Sequence, residues 1–99
     1  MAVVEVSIVP IGVESTSLSS YVAGALKVLE KSTLQYELTA MGTIISGDLD
    51  DIIKTVRLMH ESFFSAGLPR VLTQIRIDDR RDRKASPEQK IRSVREKLK

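Results

Sequence analysis

The chain reads as an α+β domain, with a four-stranded antiparallel sheet, two helices on one of its faces and a third helix at the C-terminal end. Three observations predict it. Residues 2–9 and 71–77 are strand-length runs rich in Val, Leu and Ile, with side chains alternating by a period of two. Residues 18–31 and 48–66 repeat their apolar positions with helical spacing. Between them, Met41-Gly42 joins two short strand-like runs into a hairpin, the glycine supplying the positive φ such turns need.

The first strand, 2–9, ends at Pro10 and Gly12, which interrupt a ladder. Val4, Val6 and Ile8 share one face, and Val3, Glu5, Ser7 and Val9 the other. A Ser15-Thr16-Ser17 loop follows, placing Thr16 or Ser17 to cap the first helix. That helix carries Leu18, Val22, Ala25, Leu26 and Leu29 as its stripe. Gly24 in its middle costs about 1 kcal/mol relative to alanine, so a close packing contact is expected there. Residues 35–40 form the second strand, with Tyr36, Leu38 and Ala40 toward the helices and Gln35, Glu37 and Thr39 away from them. Residues 43–46 form the third strand.

The second helix is the best-marked element. Asp48 is its N-cap, and Asp50 and Asp51 set negative charge against the positive end of the helix dipole. Leu49, Ile52, Ile53, Val56, Met59, Phe63 and Phe64 make the expected buried stripe. Gly67 stops the helix and Pro69 bars its restart. After the fourth strand, a charged connector of alternating sign, 79–85, separates the core, 1–78, from the last helix, 86–98. Ser86 is placed to cap that helix, with Pro87 at its first position. Its about three turns are too few to hold in water alone. Ile91, Val94 and Leu98 are therefore expected to pack against the body or a neighbouring subunit.

The order β-α-β-β-α-β is the split-βαβ, ferredoxin-like pattern. Right-handed crossovers put both core helices on one sheet face and give the strand order 4-1-3-2. Ninety-nine residues suit a single domain of this kind. The opposite, open face mixes Val3, Val9 and Leu72 with Glu5, Ser7, Gln35, Glu37, Thr39, Gln74 and Arg76. This face can be a partly wet sheet surface; since apolar sheet faces tend to be covered, a subunit interface is the favoured reading, and a ligand site near that interface is a third that can coexist with it.

Composition removes several functions. With 42% hydrophobic and 28% charged residues the chain is globular rather than disordered. A net charge of only +2 and the near absence of aromatics argue against nucleic acid. There is no cysteine, hence no disulfide, thiolate nucleophile or cysteine metal site. No apolar run approaches the about 20 residues of a membrane helix, and the first strand lacks the features of a signal peptide. A cytoplasmic protein without a membrane partner is expected. His60, the one histidine, is expected at the edge of the packed helix stripe rather than on a metal. No glycine-rich phosphate loop and no serine with a histidine partner are present, so neither an enzyme, a catalytic residue nor a cofactor is expected. Glu5 and Glu37 share the open face with the third strand between them. Binding an amine or a cation is the economical use of such carboxylates.

Some segments are more specific than the fold. Tyr36-Glu37-Leu38-Thr39-Ala40-Met41-Gly42-Thr43 runs into Ile45 and Gly47, and Arg70-Val71-Leu72-Thr73-Gln74-Ile75-Arg76-Ile77-Asp78-Asp79-Arg80 follows later. With the early Val9-Pro10-Ile11-Gly12, the chain resembles the small thiamine-binding protein family, related to YkoF-type proteins. The resemblance covers nearly the whole chain. It implies a ferredoxin-like binding protein, taking thiamine or its hydroxymethylpyrimidine half at an oligomer-associated site. It also implies assembly through the sheets, as a homotetramer built from two dimers, with a homodimer as the alternative. YkoF has two repeats where this chain has one, so the second copy would come from another subunit.

On that resemblance the candidate ligand-binding residues are Ser7, Glu37, Thr39, Met41, Gly42 and Thr43. Glu37 would accept from the aminopyrimidine amine or balance the thiazolium. Ser7, Thr39 and Thr43 would supply hydroxyls, Gly42 a close backbone approach, and Met41 an adaptable surface for a flat ring. The alternative is an oligomeric regulatory protein with a different ligand, such as an anion held by Arg76 and Arg80.

Overall fold

Strand β1 (Ala2–Pro10) organises the molecule, pairing antiparallel with β3 (Gly42–Gly47) on one side and β4 (Val71–Asp79) on the other. β2 (Gln35–Thr39) closes the hairpin with β3, giving the order β2-β3-β1-β4. Helices α1 (Ser19–Glu30) and α2 (Leu49–Ser65) are the two crossovers, and α3 (Pro87–Lys97) follows the sheet. The structure, a computed structural model, describes residues 1–12, 18–82 and 87–98. Its strand order and connectivity are those of the ferredoxin-like fold.

Register fixes which side chains meet. Val4 lies between Ile45 and Ile77, and Val6 between Thr43 and Ile75. These positions share the helix-facing side, where Ala2, Val4, Val6 and Ile45 are sealed beneath Ala25 and Leu29 of α1 and Ile52, Val56, Met59 and Phe63 of α2. The stacked rings of Tyr21 and Phe63, 6.0 Å apart, join the two helices. His60 Nδ1 lies 2.6 Å from Thr73 Oγ1 in a hydrogen bond that ties α2 to β4. Its ring also meets the edge of Phe64 at 5.3 Å. The single histidine thus makes structural contacts at the margin of the core.

The local signals of α2 act as expected. The Asp48 carboxylate accepts from the Asp51 N–H at 3.3 Å, and Gly67 ends the helix region with φ 92°. The stripe is narrower than expected, because burial follows Ile52, Val56, Met59 and Phe63, with Thr55 beside them. Ile53 and Phe64 lie about a quarter-turn round the helix and stay exposed. β4 runs two residues beyond 77 because β1 offers a full ladder up to the Ala2–Asp79 pair. α2 meets β4 at Thr73; further along, Ile75 and Ile77 have helix-side parity yet are 42% and 49% exposed.

One expectation fails, and another is narrowed. A methyl group at Gly24 would meet nothing within 4 Å beyond its chain neighbours and its own helix backbone, so no close contact requires glycine there. The packing of α1 falls on Val22, Ala25, Leu26 and Leu29 instead. Of the two surfaces expected for α3, its own body buries none of its residues, although Lys90 forms an ion pair with Asp78 of β4. The long axis of the molecule reaches 47 Å, and the radius of gyration is 15.0 Å against about 13 Å for a compact domain of this size. The connector is ion-paired in the described part, Arg80 with Asp82 at 2.7 Å and Arg81 with Asp79 at 2.9 Å. The expected caps Thr16, Ser17 and Ser86 lie outside the described residues. Leu18, at the α1 cap position, makes no side-chain cap bond.

Gly24→Ala is expected to stabilise the protein by about 0.5–1 kcal/mol, because the methyl group has room and the unfolded chain loses freedom. Urea unfolding checks this: a lower midpoint would show that Gly24 is packed after all.

Candidate functional site

The β2–β3 hairpin turns through Ala40 and Met41, and Thr39 fastens it. Its hydroxyl donates to the Gly42 carbonyl at 2.8 Å and accepts from the Met41 N–H at 3.2 Å. Neither Ala40 nor Met41 takes a positive φ; Gly42 does, at 154°. A Cβ on Gly42 would stand 2.7 Å from the Val6 carbonyl oxygen. Glycine therefore lets the start of β3 press on the backbone of β1.

Beside this turn, between the hairpin, the second half of β1 and α1, lies a cavity of about 200 Å³. Its inner wall is apolar, formed by Val6, Ile8, Met59 and Phe63, with Val22, Ala25 and Leu26 from α1. Leu38 and Met41 stand at the outer side, 56% and 82% exposed. The polar contribution comes from Ser7, Thr39, Thr43 and the turn backbone. None of the described residues lining the cavity carries a charge.

Five of the six candidate residues, Ser7, Thr39, Met41, Gly42 and Thr43, therefore line one cavity. Glu37 does not. It pairs with Ile44 on the open face, in the row that continues through Glu5 to Arg76. Leu38, its neighbour, points to the cavity side. The cavity also uses Val22, Leu26, Leu38, Met59 and Phe63, which sequence periodicity assigns simply to the core. Periodicity carried no signal for a gap in that packing.

A second, shallower depression on the open face is bordered by Val3, Glu5, Ile44, Arg76, Ile77 and Asp78. Arg76 faces Glu5 there at 3.6 Å. The Arg80 guanidinium is held above its ordinary pKa, chiefly by the hydrogen bond to Asp82. Both arginines considered for an anion already face carboxylates. Among the described residues there is no cluster of three or more potential metal ligands, and no helix is long and apolar enough to cross a membrane.

Fold and cavity together define a ferredoxin-like domain with a pocket at the hairpin end of its sheet whose described lining carries no charge. Residues 4–95 match the family described as thiamine-binding protein, and the chain belongs to that family. It is 47% identical to the UPF0045 protein YqgV of Bacillus subtilis, over 99% of this chain and 98% of that protein. It is 43% identical to a UPF0045 protein of Methanothermobacter thermautotrophicus, over 99% of this chain and all of the relative. The crystal structure of the hypothetical protein MJ1052 from Methanocaldococcus jannaschii superposes with a TM-score of 0.87 at 38% identity, covering 96% of each chain.

Gly42→Ala is expected to destabilise the fold by more than about 1 kcal/mol, because its Cβ meets backbone rather than a flexible side-chain end. Thermal unfolding of the variant tests the contact, and an unchanged midpoint would show that the hairpin base has room to shift.

Proposed function

We propose that the protein is a non-enzymatic binder of thiamine or its hydroxymethylpyrimidine half, and that the pyrimidine ring enters the cavity beside the hairpin turn. The observation that carries this reading is the lining of that cavity, uncharged among the described residues, apolar inside and edged by hydroxyls and turn backbone. An aminopyrimidine needs flat apolar contact and a few directed hydrogen bonds, which such a lining supplies. A phosphate would meet no compensating charge among the described lining residues. The volume of about 200 Å³ is below the about 300–1,000 Å³ of drug-sized sites, which favours one ring inside and the rest of thiamine at the mouth beside Met41.

The Thr39 hydroxyl is occupied by the turn, so Ser7 and Thr43 are the side chains that would meet the ring directly. Glu37 belongs to the open face, and any part it takes in binding would belong to the assembled form. The assembly we propose is a homotetramer, a dimer of dimers, with a homodimer as the simpler alternative. It is supported by Val9 and Leu72, exposed side by side on the open face, and by the unpaired edges of β2 and β4. An anion on Arg76 and Arg80 is the weaker reading, since each faces a carboxylate.

Thermal-shift and calorimetric titrations with hydroxymethylpyrimidine, thiamine, thiamine phosphates and sulfate test the ligand. The first two are expected to stabilise the protein, by about 2.7 kcal/mol at a hundredfold excess over Kd. Thr43→Val should weaken hydroxymethylpyrimidine by about 1 kcal/mol, roughly fivefold in Kd. Stabilisation by sulfate alone would overturn the reading in favour of an anion. In light scattering across a dilution series, the expected mass is that of four chains. A persistent mass of one 11.0 kDa chain would defeat the assembly.

A further inference from the structure

The last helix is amphipathic, and none of its apolar side chains is buried. Ile91, Val94 and Leu98 recur along one side of α3 and its last turn, and are 53%, 58% and 79% exposed. Eleven residues make too short a helix to hold in water without a partner surface. The stripe has basic margins, Lys90 and Lys97 on one side and Arg95 beside Glu88 on the other. In all, α3 has four basic residues against two acidic ones.

The open sheet face has the complementary character. Val3, Val9, Ile44 and Leu72 are its apolar members. Its charged side chains are Glu5, Glu37 and Asp78 against Arg76, and Glu37 forms no ion pair among the described residues. Asp78, at the rim of this face, already pairs with Lys90 and so anchors the start of α3 there. Beyond that anchor the stripe leaves its own sheet uncovered and remains uncovered itself.

We propose that α3 of one chain lays its Ile91–Val94–Leu98 stripe on the open sheet face of a second copy, with its basic margins toward Glu5 and Glu37 of that copy. A two-fold axis makes the exchange reciprocal, each chain giving a helix and receiving one. The inference rests on the open face being an intersubunit face, and it adds which element covers that face.

The chain has no cysteine, so introduced ones are unambiguous. The double variant Val94→Cys/Ile44→Cys is treated with a short bis-maleimide, beside each single variant, after light scattering of the same samples. Circular dichroism matching the parent shows that each variant folds. The expected result is a shift of the double variant to two chain masses on a denaturing gel, well above either single variant, with peptide mapping joining 94 to 44 between chains. Linkage confined to one chain would overturn the proposal, since α3 would then fold on its own sheet. Equal linkage of Val94→Cys alone would overturn it in favour of helix–helix pairing. No linkage in a sample that scatters as an oligomer would remove α3 from the interface while leaving the assembly standing. A monomeric parent protein would remove both.

Discussion

A slip of β1 by one residue against its neighbours would carry Glu5 and Ser7 into the core and turn Val4 and Val6 out of it. The molecule depends on that not happening. Val4 and Val6 are buried between Ile45 and Thr43 on one side and Ile77 and Ile75 on the other, and α1 and α2 close over them. Because side chains alternate along a strand, the same register creates the second face, where Glu5 meets Arg76 and Val9 stands beside Leu72. The dry core and the open face are thus two consequences of one pairing. The hydrophobic pattern of β1 specifies that pairing strongly, since either slip would bury a carboxylate without a partner.

The cavity forms where the alternation stops governing the packing. Beyond Val6 the strand continues through Ile8, while β3 has already ended in the Gly42 approach to the Val6 carbonyl. The hairpin turn, held by the Thr39 hydroxyl, therefore stands away from α1 and leaves a gap that Met59 and Phe63 floor. Without charges in the described lining, selection there falls to shape and a small number of hydrogen bonds. Away from water such bonds discriminate strongly, because a mismatched polar group is left unsatisfied.

Much of this was legible from local chemistry. The Asp48 cap and the Gly67 stop act within a few residues of themselves, and each is found where the sequence puts it. Strand parity is equally local, and it correctly divides Val4 from Glu5 and Tyr36 from Glu37. What depends on how elements lie over one another was not legible. Gly24 looks costly enough to imply a contact, but nothing in its sequence neighbourhood says what stands opposite, and nothing does. Ile53 and Phe64 have the chemistry of core residues on a flank of α2 that is not covered. The hairpin segment holds most of the candidate ligand residues, but sequence proximity joins Glu37 to neighbours that line the cavity while Glu37 itself does not. The cavity itself was invisible, because its walls have the composition and spacing of ordinary core.

The placement of β2 sets how the two surfaces of the molecule relate. It is a five-residue edge strand with no buried residue, held in the sheet by β3 alone. Edge strands with so little buried surface lie at the low-stability end of a fold and open locally more readily than central strands. On β2, Leu38 borders the cavity while the adjacent Glu37 lies on the open face. Consecutive side chains of one lightly held strand therefore serve the two surfaces. A ligand against Leu38 or a protein surface against Glu37 would each order the same backbone, and the conformational entropy lost to the first would not be lost again to the second. Pocket and open face are thus connected through the least anchored strand of the sheet, while β1, which separates them, is fixed by pairing on both sides.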